Sequence, residues 1–229
     1  MPKVEGLLEN SLSLGGLTPD LAAGLEALAR PMSIKAGTIL FETGDPGNGC
    51  YAVLEGSLRV SLLSAEGDEQ LLAVLGPGQL VGEMALLDGE PRSATVTALK
   101  PARLAFFDKA AFDRFAEANP DLYRHMLRIV GARLRLANDV LAARSFLPLQ
   151  GRVAKTLLLL ADSFGKDVEE GRTLIHYKVS QADIANMAGA ARENVSRVLN
   201  EWKRAGTISQ ISGYYCIEKL GRLEREASM

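Results

Sequence analysis

Two short stretches of this 229-residue chain concentrate side chains able to hold an anion or read a base. The first is Gly82-Glu83-Met84-Ala85-Leu86-Leu87, a turn at Asp88-Gly89-Glu90-Pro91, and then Arg92-Ser93-Ala94. A short helix beginning near Glu83 would aim unpaired backbone N–H groups at an anion, with Arg92 supplying charge and Ser93 a hydroxyl. Glu83 can accept hydrogen bonds from a ribose hydroxyl. Taken alone, the same spacing also describes a surface Glu–Arg pair beside a turn.

The second stretch is a helix from about Arg192 to Arg204. At 100° per residue, Val195, Val198, Leu199 and Trp202 share one arc, and Arg192, Glu193, Ser196, Arg197, Asn200 and Lys203 occupy the arc beside it. Arg can pair bidentately with guanine O6 and N7, and Glu can accept from cytosine N4. An isolated segment of this kind is more simply a solvated charged face. Its neighbours change that reading. Ser180-Gln181-Ala182-Asp183 has capping-box form and opens a preceding helix, with Ile184 and Met187 on its buried side. Gly189 ends that helix, and Gly206 to Tyr215 forms a hairpin like a DNA-binding wing. Together these are the parts of a helix-turn-helix, with Ser180 and Lys203 as candidate phosphate contacts.

The elements that must position these groups follow from patterning. A helix opened by Thr18 with Pro19 at its first position gives way to short β runs at Met32 to Lys35, Thr38 to Glu42, Tyr51 to Leu54, Leu58 to Leu63, Gln70 to Leu75, Ala94 to Leu99 and Arg103 to Phe107. Gly-containing turns separate them, which predicts an antiparallel roll or jelly roll. Helical periodicity then takes over. Tyr123, Leu127, Val130, Leu134, Ala137 and Leu141 follow a heptad seam, with a second stripe, Leu122, Met126, Ile129, Leu136 and Val140, beside it. One stripe can pack on the roll and the other on a partner, or both can form one wide face buried within a monomer. Phe146 to Gly151 stops this helix, since Pro148 cannot continue it and Gly151 suits a cap or hinge. Next come a helix from Arg152 to Ser163, a polar loop from Gly165 to Arg172 and a strand from Leu174 to Lys178. The chain is thus α+β, in three parts: an effector domain (1–118), a dimerisation helix (119–146) and a winged helix-turn-helix (147–229).

Composition excludes several classes. No apolar run reaches a bilayer span, and Met1 to Gly16 lacks the basic and apolar regions of a secretory signal. The net charge of −2 conceals an uneven distribution: residues 1–123 hold 9 Lys and Arg against 17 Asp and Glu, whereas 124–145 hold 5 against 1 and 146–229 hold 12 against 10. An acidic first half and a mildly basic second half permit nucleic-acid binding at the C-terminal end. Two cysteines, Cys50 and Cys216, cannot supply a four-Cys iron–sulfur cluster, and they suit a reducing, cytoplasmic setting. The two histidines, His125 on the long helix and His176 on a short strand, suit surface or locally satisfied roles better than ligation. No metal or haem is expected, and no nucleophile–base pair supports an enzyme.

Taken together, the Ala36-Gly37-Thr38 and Gly44-Asp45 turns, the Gly82-Glu83 to Arg92-Ser93-Ala94 cassette, Gly151-Arg152-Val153-Ala154, and Ser180 through Gly189 to Arg192-Glu193-Asn194-Val195-Ser196-Arg197 resemble the CRP/FNR superfamily of bacterial transcription regulators. The resemblance runs from about Leu17 to Ile217. It implies a cyclic-nucleotide-binding roll, a long dimerisation helix and a C-terminal winged helix-turn-helix that binds a two-fold symmetric duplex DNA site and meets RNA polymerase. It gives Glu83 the ribose 2′-hydroxyl and Arg92 and Ser93 the cyclic phosphate of cyclic AMP, the expected effector. Gly82, Met84 and Ala85 lie where the backbone approaches the nucleotide, although Gly is common in the family at the position of Ala85. The adenine-contacting pair falls on Ala137-Asn138. Asn138 can still meet a purine edge, but Ala137 lacks the usual hydroxyl, which also admits another effector or constitutive DNA binding. Ala191 replaces a capping Ser or Thr ahead of the recognition helix, a loss of about 1 kcal/mol. The R-E-x-x-x-R spacing implies Arg192, Glu193 and Arg197 as base readers of a TGTGA-like half-site.

Overall fold

A computed structural model describes residues 17–67, 69–168 and 171–228; Met1 to Gly16, read above for signal character, lie outside them. The described chain divides into two compact units, with the boundary between Leu134 and Arg135.

The first unit opens with α1 (Pro19–Leu28), capped by the Thr18 hydroxyl, and continues through β1 (Arg30–Ile34), β2 (Ile39–Phe41), β3 (Gly49–Glu55), β4 (Leu58–Leu63), β5 (Glu69–Leu75), β6 (Leu80–Val81), α2 (Glu83–Asp88), β7 (Thr95–Ala98), β8 (Ala102–Asp108) and α3 (Lys109–Ala118). Two antiparallel four-stranded sheets result, ordered β1-β8-β3-β6 and β2-β7-β4-β5. The period-2 geometry of a strand sorts the core. Tyr51 and Val53 of β3, with Ala102 and Leu104 of β8, join Phe41, Leu58, Val96 and Ala98 in one core between the sheets. The intervening residues Cys50, Ala52, Ala105 and Phe107 face a second core, closed by Leu25 of α1, Phe112 of α3 and Leu122 and Met126 of the helix that follows. Both faces of β3 are therefore covered, which explains why its sequence is apolar without alternation.

That helix, α4 (Asp121–Phe146), runs across the unit boundary. Its two stripes have different fates. Leu122 and Met126 are buried and Ile129 packs beside them, but Leu136 is exposed and Val140 only half-buried, so the second stripe is covered in its N-terminal half alone. The seam is not buried within the monomer: Leu127, Leu134 and Leu141 are 67, 62 and 65 % exposed. His125, on the covered side, is buried.

The second unit continues with α5 (Leu149–Phe164), β9 (Gly165–Val168), β10 (Arg172–Ile175), α6 (Gln181–Ala188), α7 (Arg192–Arg204), β11 (Ile208–Ile211), β12 (Tyr214–Ile217) and α8 (Leu220–Ala227). Its sheet is ordered β11-β12-β10-β9. Three expectations are corrected. The stretch expected as a polar loop from Gly165 carries an edge strand, β9, which pairs antiparallel with β10 through Thr173↔Asp167 and Leu174↔Lys166. The strand expected at Leu174 to Lys178 lies earlier, at Arg172–Ile175, which leaves His176 beyond its end, exposed and stacked on Tyr214 with ring centroids 5.7 Å apart. Gly151 is not a cap. It sits in the first turn of α5, buried, where a Cβ would stand 2.7 Å from the Glu226 carbonyl oxygen of α8. Only Leu147 and Pro148 separate α4 from α5.

The close approach of α5 to α8 at Gly151 makes a specific expectation. Gly151→Val forces a branched side chain against backbone, and overpacking of this kind costs about 1–3 kcal/mol. Thermal unfolding followed by circular dichroism should register that loss; an unchanged midpoint would mean that α8 yields without cost.

Candidate effector and DNA-binding sites

Glu83 begins α2, and the residue before it must turn the chain sharply. Gly82 does so at φ 78°, where a Cβ would stand 2.4 Å from Arg92 Nη1. Glycine is needed there for conformation and for space. The opposite adjustment occurs at Ala85. This residue is buried against Gly47, whose own Cβ would fall 2.3 Å from that of Ala85, so the missing side chain at 47 makes room for the methyl at 85.

Glu83 is completely buried. Its Oε1 accepts from Arg133 Nη1 of α4 at 2.5 Å, and Arg133 Nη2 also donates to the Leu80 carbonyl. Glu83 Oε2 is buried with no hydrogen-bond partner. Arg92 is buried as well, 3 % exposed. Its Nη1 donates to the Gly82 carbonyl at 2.9 Å, its Nη2 to Asn48 Oδ1 at 3.3 Å, and its guanidinium lies 4.2 Å above the Phe41 ring centroid. Arg92 Nε has no partner. Burial pulls the Arg92 pKa down, opposed by the fields of Tyr51, Cys50, Asp45 and Glu83. The Arg92 backbone is fixed by exchange with the Gly44–Asp45 turn: its N–H donates to the Asp45 carbonyl and its carbonyl accepts from the Gly44 N–H, each at 2.8 Å. Ser93 is exposed, its hydroxyl 3.8 Å from the sulfur of exposed Met84. Gly82, Glu83, Met84, Ala85, Arg92 and Ser93 thus lie together around α2, and the surface-pair reading of Glu83 and Arg92 is excluded by their burial. Asn138 belongs to the second unit and is exposed on α4.

Sequence reasoning missed Arg133, Asn48 and Phe41 here. Arg133 stands 50 residues from Glu83; no local pattern links them. The only available signal was an arginine beside the apolar stripe of α4.

In the second unit the capping box forms as expected: Ser180 Oγ accepts from the Asp183 N–H at 3.0 Å and donates to Asp183 Oδ2 at 2.7 Å. Gly189, at φ 61°, closes α6, and the Ala190 N–H returns to the Ala185 carbonyl at 2.9 Å. α7 is held by Val195, Val198, Leu199 and Trp202, all buried, while Arg192, Glu193 and Arg197 are exposed and Ser196 half-buried. Ala191 gives α7 no side-chain cap. The hairpin β11–β12 turns through Ser212 and Gly213, both with positive φ, as a two-residue turn between twisted strands requires. Lys203 is committed to this wing: Nζ donates to Gln210 Oε1 at 2.6 Å and lies 5.3 Å from the Tyr215 ring centroid. Among the described residues no three His, Cys, Asp or Glu side chains are grouped to hold a metal, and no helix is long and apolar enough to cross a membrane.

The buried Glu83–Arg133 pair can be tested apart from any ligand. Arg133→Met strands a buried carboxylate, for an expected loss of about 3–5 kcal/mol in denaturant unfolding. The double change Glu83→Gln with Arg133→Met should recover part of it. Simple additivity of the two changes would show that the pair is not coupled.

Two family models match in order: residues 31–119 match the cyclic nucleotide-binding domain and residues 151–226 the Crp-like helix-turn-helix domain. A CRP-like cAMP-activated global transcriptional regulator of Mycobacterium tuberculosis strain H37Rv is 31 % identical over 212 residues, 93 % of this chain and 94 % of that protein. A CRP/FNR-family transcriptional regulator of Thermus thermophilus superposes with a TM-score of 0.69 at 27 % identity, covering 86 % of this chain and 98 % of the other. FixK2 from Bradyrhizobium japonicum shares the fold at a TM-score of 0.77 and 20 % identity, over 88 % of this chain and 98 % of that one. With a nucleotide-binding roll ahead of a helix-turn-helix and a relative matched along nearly its whole length, the chain belongs to the CRP/FNR family of transcription regulators.

Proposed function

We propose that this regulator acts as a homodimer whose affinity for a two-fold symmetric DNA site is controlled by cyclic AMP bound in the roll. The observation that carries the effector reading is the pair of unanswered polar atoms in a buried site: Glu83 Oε2, an acceptor without a donor, and Arg92 Nε, a donor without an acceptor. A ribose hydroxyl suits the first and a cyclic phosphate the second. Gly82, Met84, Ala85 and Ser93 frame these two groups, and Asn138 offers the amide for a purine edge. The relative from M. tuberculosis is named as cAMP-activated, which favours cyclic AMP among cyclic nucleotides. A second reading, in which another effector acts or DNA binding is constitutive, is favoured by Ala137, which lacks a hydroxyl, and by the bonds that Glu83 and Arg92 already make within the protein.

Dimerisation is supported by the exposed seam on α4. An uncovered line of leucines on a helix marks a surface that associates. DNA recognition is assigned to Arg192, Glu193 and Arg197 for bases, with Ser196 on the same face, and to Ser180 and Lys203 for phosphate contact, once their present bonds to Asp183 and Gln210 are exchanged for it, with a TGTGA-like half-site and RNA polymerase as the downstream partner.

Calorimetry with cyclic AMP and cyclic GMP, on protein stripped of bound ligand, tests the effector. Cyclic AMP should bind, and Arg92→Ala should weaken it by about 2–5 kcal/mol. No binding of either nucleotide at millimolar concentration would favour the second reading.

Leu134→Asp, which places a carboxylate in the seam, should give a monomer at micromolar concentration by sedimentation; a persistent dimer would relocate the interface. Selection on random duplexes should enrich a palindrome. Glu193→Ala and Arg197→Ala should each relax one base position by about 1–3 kcal/mol, and unchanged enrichment would reduce this face to a solvated surface.

A further inference from the structure

Two arginines converge on the turn between α6 and α7. Arg152, in the first turns of α5, donates from Nη1 to the Gly189 carbonyl at 3.3 Å. Arg144, in the last turn of α4, lies across the same glycine: a Cβ at 189 would stand 3.1 Å from its Nε and 3.4 Å from its Cζ. The guanidinium thus fills space that only glycine leaves open. Part of this arrangement has a local cause, since cations are favoured at the carbonyl end of a helix. That end carries only about half a negative charge, and two full positive charges meet there. Among the described residues neither arginine is ion-paired with a carboxylate. Arg152 Nε is buried and without a partner, whereas Arg144 remains exposed. The cluster therefore has surplus charge and unused donors, with a route to solvent.

Its position in the chain indicates which anion could reach it. Gly189 precedes Ala191, the side-chain-free cap of α7, by two residues, at most about 7 Å of extended chain. A duplex that receives Arg192 and Glu193 must pass this turn. We propose that Arg144 and Arg152 hold a phosphate of the DNA backbone beside the start of the recognition helix, a contact separate from base reading. Planar guanidiniums suit paired hydrogen bonding to phosphate oxygens, and a phosphate between them relieves their mutual repulsion. The inference rests on the assignment of α7 as the DNA-reading helix.

The test is the salt dependence of binding by the full-length protein to its selected duplex, followed by fluorescence anisotropy. Loss of one phosphate contact lowers the slope of log affinity against log salt by about 0.9. Arg144→Gln should show that drop with about a threefold to tenfold weaker affinity, equal for matched and mismatched duplexes, and Arg144→Lys should restore the slope. An unchanged slope, or altered base preference at constant slope, would overturn the contact and make the arginines a clasp that positions α7. Replacing chloride by inorganic phosphate at matched ionic strength should leave binding unaltered; inhibition that disappears in Arg144→Gln would identify a free-phosphate site instead. Failure of the unsubstituted protein to bind any duplex would refute the DNA-reading assignment itself and is read out separately from the slope.

Discussion

A carboxylate taken out of water must recover its lost hydration from opposite charge and hydrogen bonds. Glu83 is completely buried, and much of the first unit is arranged around that demand. Gly82 turns the chain so that Glu83 enters the interior, and Arg133 reaches in from α4 to answer one oxygen. Arg92 presents the opposite charge under the same constraint, answered by a carbonyl, an amide oxygen and an aromatic face. The protein satisfies each group only in part. A site that holds two opposite charges dry, with one acceptor and one donor unused, is suited to a ligand that carries both a hydroxyl and an anion.

The ion pair also explains why the N-terminal part of α4 belongs with the roll. Leu122 and Met126 close the helix-side core while Arg133 bonds to Glu83 and to the Leu80 carbonyl. Apolar burial and a buried charge thus fasten the same stretch of helix. The heptad seam points elsewhere and finds nothing within the monomer to cover it. A single helix therefore carries the side chain that answers Glu83 on one side and an uncovered apolar seam on another.

Legibility in the sequence follows the range of the interactions. The seven expected β runs appear because each has a local apolar or alternating pattern bounded by turn residues, and α7 appears at its expected limits because its four buried residues repeat at helical spacing. β6 is invisible because two residues after Pro77-Gly78 carry no pattern, and β9 because a polar edge strand reads as loop. α8 is short, eight residues with Leu223 as its one fully buried side chain, and its pattern has little length in which to repeat. Gly151 misleads because a glycine after a proline suggests a break, whereas its absent side chain admits the backbone of α8. Within the sites, residues adjacent in sequence are legible; Arg133, Asn48 and Phe41 are not, since their partners are brought to them only by the tertiary fold.

The weak net charge of the chain is no obstacle to binding a polyanion. At physiological salt a charge is felt over about 8 Å, so the acidic excess of residues 1–123 counts only where it approaches the contact surface. What matters is the charge near α7 that is not already neutralised. Arg192 and Arg197 are exposed without a carboxylate partner among the described residues, and Arg144 and the half-buried Arg152, at the turn before them, have none either. Among the described residues Arg59 pairs with Glu69, Arg103 with Glu55, Arg124 with Asp121, Arg133 with Glu83 and Arg172 with Glu218. Four unpaired arginines, two on α7 and two at the turn before it, create a local positive field that net charge conceals. A field of this kind attracts anions without regard to sequence, while the buried face of α7 fixes the orientation of its exposed side chains.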